Sequence, residues 1–284
     1  MKILVTGAKG LLGTNLVPVL NSSGHEVVAT DIEELDITDT DKVIAAVAAE
    51  RPEVIINCAA YTQVDRAEEE RDLAFLINGF GVQNLALACG IYDVLLVHLS
   101  TDYVFNGEKS TAYTPFDTPE PINAYGWSKL RGEECLQQIG SRYFLLRTSW
   151  LYGRGGANFV DSILRLASNQ KAIKVVTDQR GSPTWAVDLA NFINKIISSN
   201  KYGLYHVSDE TYGGITWFDF AQEIVKLAGL STEVIPITSE ELPRPAARPK
   251  NSVLDLSWTK IAFDLNFPDW RESLRNYLKE KGLV

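Results

Sequence analysis

Lys2-Ile3-Leu4-Val5-Thr6-Gly7-Ala8-Lys9-Gly10-Leu11-Leu12-Gly13 opens the chain with an apolar run of strand length, then three glycines at intervals of three. Thr14 to Leu20 follows with helical patterning. A glycine turn between a strand and a helix does three things. It reverses the chain sharply, lets backbone N–H groups approach a pyrophosphate, and lets the helix pack closely on the strand. Gly7, Gly10 and Gly13 are spaced G-x-x-G-x-x-G rather than G-x-G-x-x-G, so the triplet alone also fits a turn made only for packing. Its place on the first strand of an alternating chain favours the nucleotide site.

Downstream the alternation continues. Glu26 to Thr30 reads as a second strand ending at Asp31, and Thr40 to Glu50 as a helix that Arg51-Pro52 stops before the apolar run Val54 to Ile56. Glu68 to Cys89 reads as one long helix containing Gly79 and Gly81, followed by the strand Val94 to Ser100, the helix Tyr125 to Ile139 and the strand Tyr143 to Thr148. Continuously apolar strands separated by helices predict a parallel sheet covered on both faces, a doubly wound α/β fold of Rossmann type over residues 1–152. Residues 153–284 are more irregular and predict a smaller α+β substrate-binding domain, from which the helix Val187 to Ser198 is free to return to the first. Leu242-Pro243-Arg244-Pro245-Ala246-Ala247-Arg248-Pro249 is too proline-dense for regular structure and reads as a cleft lining or a linker.

Composition bounds the function. The 284 residues, 45% hydrophobic and 22% charged, suit about two globular domains. With 27 Lys+Arg against 36 Asp+Glu the net charge is −9, which argues against nucleic acid as a partner. Cys58, Cys89 and Cys135 form no C-x-x-C pair, so reduced thiols in the cytoplasm are expected rather than zinc. Met1-Lys2-Ile3-Leu4-Val5 is too short for a secretory signal core, and no uninterrupted apolar run approaches a membrane span. A soluble protein with no membrane partner is the expectation. His25, His98 and His206 are isolated, and no metal site is expected from them.

The chemistry concentrates after the fourth strand. Tyr125 and Lys129 are one helical turn apart, so both project from one helix face. A lysine ammonium there would favour the phenolate, and the phenol could serve a carbonyl as proton donor. Leu99-Ser100-Thr101-Asp102 closes the preceding strand at the end of the sheet where ligands bind. A hydroxyl of Thr101 or Ser100 there can bond the same carbonyl oxygen. Asp31 has two readings: a carboxylate for the adenosine ribose, which would disfavour a 2′-phosphate and so favour NADH, or an ordinary strand-end acid. Lys9 could offset the first, leaving NADH and NADPH both open.

In the order of its glycine turn, strand-end Ser/Thr and Tyr/Lys helix the chain resembles the extended short-chain dehydrogenase/reductases. More closely it is similar to the dTDP-4-dehydrorhamnose reductase family, through Arg51 to Asn57, Ala59-Ala60-Tyr61-Thr62, Val64 to Glu68, Ser100 to Phe105, Arg147 to Trp150 and Arg248 to Ser252. The resemblance implies NAD(P)H-dependent reduction of the 4-keto group of dTDP-4-dehydro-L-rhamnose, the last step of dTDP-L-rhamnose biosynthesis. It implies Tyr125 as proton donor beside the cofactor, Lys129 as the cation that orients both cofactor and Tyr125, and Thr101 at the carbonyl. Gly10, Leu11, Leu12, Asp31, Asp36, Ile37, Ala60, Tyr61 and Thr62 match cofactor contacts, and Asp102 and Trp150 match sugar contacts. Arg248 has two readings, a guanidinium fork for a diphosphate or a solvated Arg on a proline-rich surface loop.

Asn15 stands where members studied as metal-linked dimers carry Glu, although Glu280 matches another position of that cluster, so Mg²⁺ is not expected and monomer and homodimer both remain open. A dehydratase would need a second carboxylate where Tyr103 stands. An epimerase of the same branch and a non-catalytic nucleotide-binding regulatory subunit are the alternatives to a reductase.

Overall fold

The computed structural model spans Met1–Val284. Its first half runs β1 (Lys2–Thr6), α1 (Leu11–Ser22), β2 (Glu26–Ala29), α2 (Thr40–Glu50), β3 (Val54–Asn57), α3 (Arg71–Phe75), α4 (Gly81–Tyr92), β4 (Leu95–Thr101), α5 (Ala124–Ile139) and β5 (Tyr143–Thr148). The second runs β6 (Leu151–Tyr152), α6 (Phe159–Asn169), β7 (Ala172–Val176), β8 (Arg180–Gly181), β9 (Thr184–Trp185), α7 (Ala186–Ile196), β10 (Gly203–His206), β11 (Ile215–Thr216), α8 (Trp217–Leu227), β12 (Glu233–Ile237), α9 (Ser257–Phe263) and α10 (Trp270–Glu280).

The main sheet has six strands in the order β10-β5-β4-β3-β1-β2, every pair parallel. Residues alternate between its faces. Ile3, Val5, Val97 and Leu146 pack under α1 and α7, while Leu4, Ile55, Leu96 and Leu145 pack under α2, α4 and α5. This is the doubly wound Rossmann-like architecture, and its crevice opens between β1 and β3, where the strand order reverses.

The main sheet and its helix layer draw on the chain beyond residue 152. β10, counted above with the second half, pairs with β5 through Leu204↔Leu145 and His206↔Arg147, and α7 packs on α1. Their apolar faces, including Leu189, Ile193 and Tyr205, complete the core beneath β1 and β4. β6, β7, β9, β11, α6, α8 and α10 build a separate core around Tyr152, Phe220, Trp270 and Tyr277.

The expected long helix starts at Arg71 rather than Glu68, and its middle, Leu76–Phe80, is π-helical. By length and composition Arg71–Tyr92 is apolar enough to cross a bilayer, yet more than half of its apolar window is buried against the rest of the protein.

Candidate active site

The glycine turn has a separate physical reason for each glycine. Gly7 has φ of +66°, and a Cβ on it would lie 2.5 Å from the Ala59 nitrogen. A Cβ on Gly13 would lie 2.5 Å from Ala8 Cα, so this glycine seats α1 against the turn. Gly10 caps α1 without a side-chain hydrogen bond, and the first turn carries no acid. The first-turn N–H groups of Leu11, Leu12 and Gly13 are therefore donors for an anion. A cavity of about 390 Å³ opens beside the turn, lined among others by Gly7, Gly10, Asp31, Asp36, Ile37 and Ala60. Volume, free helix N-terminus and strand-end acid together fit a dinucleotide.

Not every expected cofactor residue presents its side chain. Asp36 Oδ1 accepts from the Thr38 N–H and hydroxyl, and the Tyr61 hydroxyl donates to Glu70 at 2.5 Å. Thr62 is exposed. Asp31 accepts from the Lys9 and Ile32 N–H groups at 2.8 and 2.9 Å. Lys9 Nζ meets Glu33 at 2.9 Å and Glu34 at 3.2 Å, so its charge is already countered by two carboxylates beside Asp31.

Across the crevice, Asn123 starts α5 by accepting from the Gly126 N–H at 2.7 Å. Tyr125 stands on the first turn, half-buried, edge-on to Tyr103 with ring centroids 5.8 Å apart. Lys129 is buried, and its Nζ donates to the Leu99 carbonyl at 2.5 Å. Burial lowers Lys129 to about 8 against the opposing charge of Glu133. Burial also raises the Tyr125 phenol above its ordinary value; a hydrogen bond with Thr101 works the other way and the Asp102 charge adds to the rise. Desolvation of the phenolate is the largest of these influences and favours the protonated phenol.

Thr101, the last residue of β4, donates to Asp102 Oδ1 at 3.0 Å and accepts from the Tyr103 N–H. Asp102 is only 2% exposed, and its Oδ2 has no hydrogen-bond partner. Burial lifts this carboxyl to about 6, opposed by hydrogen bonds with Ser252 and Thr101. An orphan acceptor in a cleft is costly unless a ligand hydroxyl satisfies it.

Two expected substrate residues are engaged within the protein. Trp150, with φ of +48°, stacks on Trp217 at 3.5 Å, and Gly181 lies so close that a Cβ would meet the indole at 2.5 Å. The Arg248 fork is bound by Asp65, at 2.5 Å through Nη1 and 3.0 Å through Nη2. A bidentate carboxylate thus meets both terminal guanidinium nitrogens. The pair straps the proline-rich segment to the first domain, assisted by Asn123 Nδ2 donating to the Ala247 carbonyl at 2.8 Å.

Buried amides brace the site, of which Asn78 carries no signal in the sequence beyond being polar in an apolar run. Asn57 accepts from the Thr6 hydroxyl and meets His98 Nδ1 at 3.0 Å. Asn78 bonds the Tyr61 N–H, the Tyr61 carbonyl and the Ser128 hydroxyl, joining the cofactor loop to α5. Asn15 is used internally, its Nδ2 donating to the Leu11 and Arg154 carbonyls, while Glu280 pairs with Arg154 at 3.0 Å.

Fold and side chains together define a dinucleotide-dependent oxidoreductase of the extended short-chain dehydrogenase/reductase type. Residues 1–282 match the family model described as RmlD substrate binding domain. The chain is 42% identical over 288 residues to the dTDP-4-dehydrorhamnose reductase of Aggregatibacter actinomycetemcomitans, covering 97% of each. It is 40% identical to the spore coat polysaccharide biosynthesis protein SpsK of Bacillus subtilis, covering 99% of this chain and 98% of that one. The dTDP-4-dehydrorhamnose reductase of Bacillus anthracis, solved in complex with NADP, superposes with a TM-score of 0.95 at 43% identity, covering 98% of this chain and 99% of that one. The chain belongs to the RmlD substrate-binding-domain family, alongside these dTDP-4-dehydrorhamnose reductases.

Proposed function

We propose that the protein reduces the 4-keto group of dTDP-4-dehydro-L-rhamnose to the alcohol of dTDP-L-rhamnose. The reading is carried by full-length similarity to reductases of that name in a chain that retains Thr101, Tyr125 and Lys129 at one mouth of the crevice. A bound reduced nicotinamide supplies a hydride for the carbonyl carbon. Tyr125 delivers its phenolic proton to the carbonyl oxygen, so hydride and proton together complete the alcohol. Thr101 orients that oxygen from the end of β4, and the Lys129 ammonium stabilises charge passing to the phenol. Asp102 Oδ2 accepts from a sugar hydroxyl, and the half-buried Trp150 packs against the sugar. The helix N-terminus at Gly10 to Gly13 receives the dinucleotide's pyrophosphate, while Asp31, Asp36, Ile37, Ala60, Tyr61 and Thr62 surround its adenosine end. Arg248 positions the proline-rich segment over the cleft through Asp65.

The test is loss of nicotinamide absorbance with enzymatically generated dTDP-4-dehydro-L-rhamnose, matched to appearance of the dTDP-sugar alcohol. Dinucleotide binding without consumption would defeat the proposal and leave a regulatory subunit or another 4-keto nucleotide-sugar. The same assay reads cofactor choice. Asp31, Glu33 and Glu34 against the single charge of Lys9 make the ribose corner acidic, which opposes a 2′-phosphate. We expect a higher kcat/KM with NADH than with NADPH. Asp31→Asn should shift that ratio about tenfold toward NADPH. A wild-type preference for NADPH would reverse the assignment of Asp31.

A further inference from the structure

Along the face of α5 that carries Tyr125 and Lys129, a third ionisable residue follows one more turn on, Glu133. Glu133 and Arg147 are 1% and 2% exposed. The Glu133 carboxylate grips two neighbouring strands. Oε1 accepts from the Ser100 hydroxyl of β4 and from Arg147 Nε at 2.9 Å, and Oε2 accepts from Arg147 Nη2 at 2.6 Å. Ser100 and Arg147 lie opposite each other in the β4–β5 register, one residue before Thr101 and Thr148. Lys129 meanwhile donates to Leu99, the residue before Ser100. The helix is therefore bolted to consecutive residues of the strand that ends in Thr101.

We propose that Glu133 is a positioning residue for the reduction: through Ser100 and Arg147 it clamps the helix bearing Tyr125 and Lys129 to the strand bearing Thr101, and it sets its carboxylate one turn along the same face from Lys129. This rests on the assignment of Tyr125 and Lys129 above. The titratable groups that act on Lys129 are Cys58 after β3, His98 of β4 and Glu133 of its own helix, the last paired with the Arg147 guanidinium of β5. Burial pushes the Cys58 thiol up to about 12 and the His98 imidazole well below its ordinary value, so both are uncharged at neutral pH. The Tyr125 phenol is uncharged as well. That leaves the Glu133 carboxylate to oppose the desolvation that draws Lys129 down to about 8. Removing an anion that favours an ammonium lowers the pH at which the ammonium loses its proton.

The experiment is kcat/KM against pH for wild type, Glu133→Gln, Glu133→Gln/Arg147→Met and Ser100→Ala, with melting temperature and circular dichroism on each. The double variant is included because Glu133→Gln alone leaves the Arg147 guanidinium buried without a counter-charge. Wild type should lose kcat/KM as pH rises through about 8. In both Glu133 variants that alkaline limb should move down by about one pH unit or more. Ser100→Ala, which keeps the charge and removes one strut of the clamp, should lower kcat about tenfold with the limb in place. A folded Glu133 variant whose limb coincides with that of wild type overturns the proposal. If neither Glu133 variant folds, a Ser100→Ala protein with wild-type kcat overturns it. Tyr125→Phe run in parallel separates the levels: turnover retained there refutes the reductase assignment itself, whatever Glu133 does.

Discussion

Turnover by Tyr125→Phe should fall by about 10³-fold while the protein folds and binds dinucleotide as wild type does. The substitution deletes one oxygen and leaves the ring, whose edge-on contact with Tyr103 is unchanged in shape. The Tyr125 backbone carbonyl still accepts from the Ser128 hydroxyl at 2.7 Å, so the first turn of α5 keeps its geometry. What is lost is the proton held where the carbonyl oxygen must become a hydroxyl. Because burial raises the phenol's pKa, that proton is present throughout the neutral range, and no other side chain of the pair supplies it: Lys129 is directed to Leu99. Stopped-flow reduction alongside a fluorescence titration with dinucleotide distinguishes loss of chemistry from loss of binding. Turnover within a few-fold of wild type would remove the phenol from the mechanism.

The second large effect is expected at Gly126, next to Tyr125. Alanine is the better helix former by about 1 kcal/mol, and on propensity alone Gly126→Ala should stabilise. The tertiary contact decides otherwise. A Cβ there would lie 2.2 Å from the Tyr103 carbonyl oxygen and 3.0 Å from Pro121 Cβ. The first is a backbone atom immediately beyond Thr101 and Asp102, so relief requires the start of α5 to move away from the end of β4. Overpacking of this kind costs about 3 kcal/mol, which outweighs the propensity gain. The movement also separates Tyr125 from Thr101. We expect a lower melting temperature and a fall in kcat together in Gly126→Ala. Unchanged stability would mean that this contact relaxes without cost.

The two variants probe different kinds of information in the chain. Tyr125 and Lys129 are legible as a pair because helical spacing is local, and Thr101 because an apolar run must end somewhere and the next polar residues mark its mouth. The strand–turn–helix opening is legible for the same reason: Gly7, Gly10 and Gly13 interrupt a pattern within a dozen residues. Gly126 inside the Tyr–Lys segment gives no such warning, since its cost comes from a carbonyl belonging to Tyr103 in another element.

Local periodicity and composition thus sufficed for the parallel α/β fold, the nucleotide turn and the hydroxyl, phenol and ammonium at the end of β4. Tertiary structure alone decided the rest. A short apolar strand such as β10 carries no mark of its neighbour, and only its pairing along the edge of β5 places it in the main sheet. The pairing of Arg248 with Asp65 is not legible because the two are remote in sequence. The protonation of Tyr125 is not legible from a one-turn spacing, which reports distance along a helix, whereas a pKa depends on how much water the packed side chains exclude. Glu133 passed unnoticed for a related reason: acidic residues on a helix are usually solvated, and its significance lies in the Ser100 and Arg147 side chains that two adjacent strands bring to meet it.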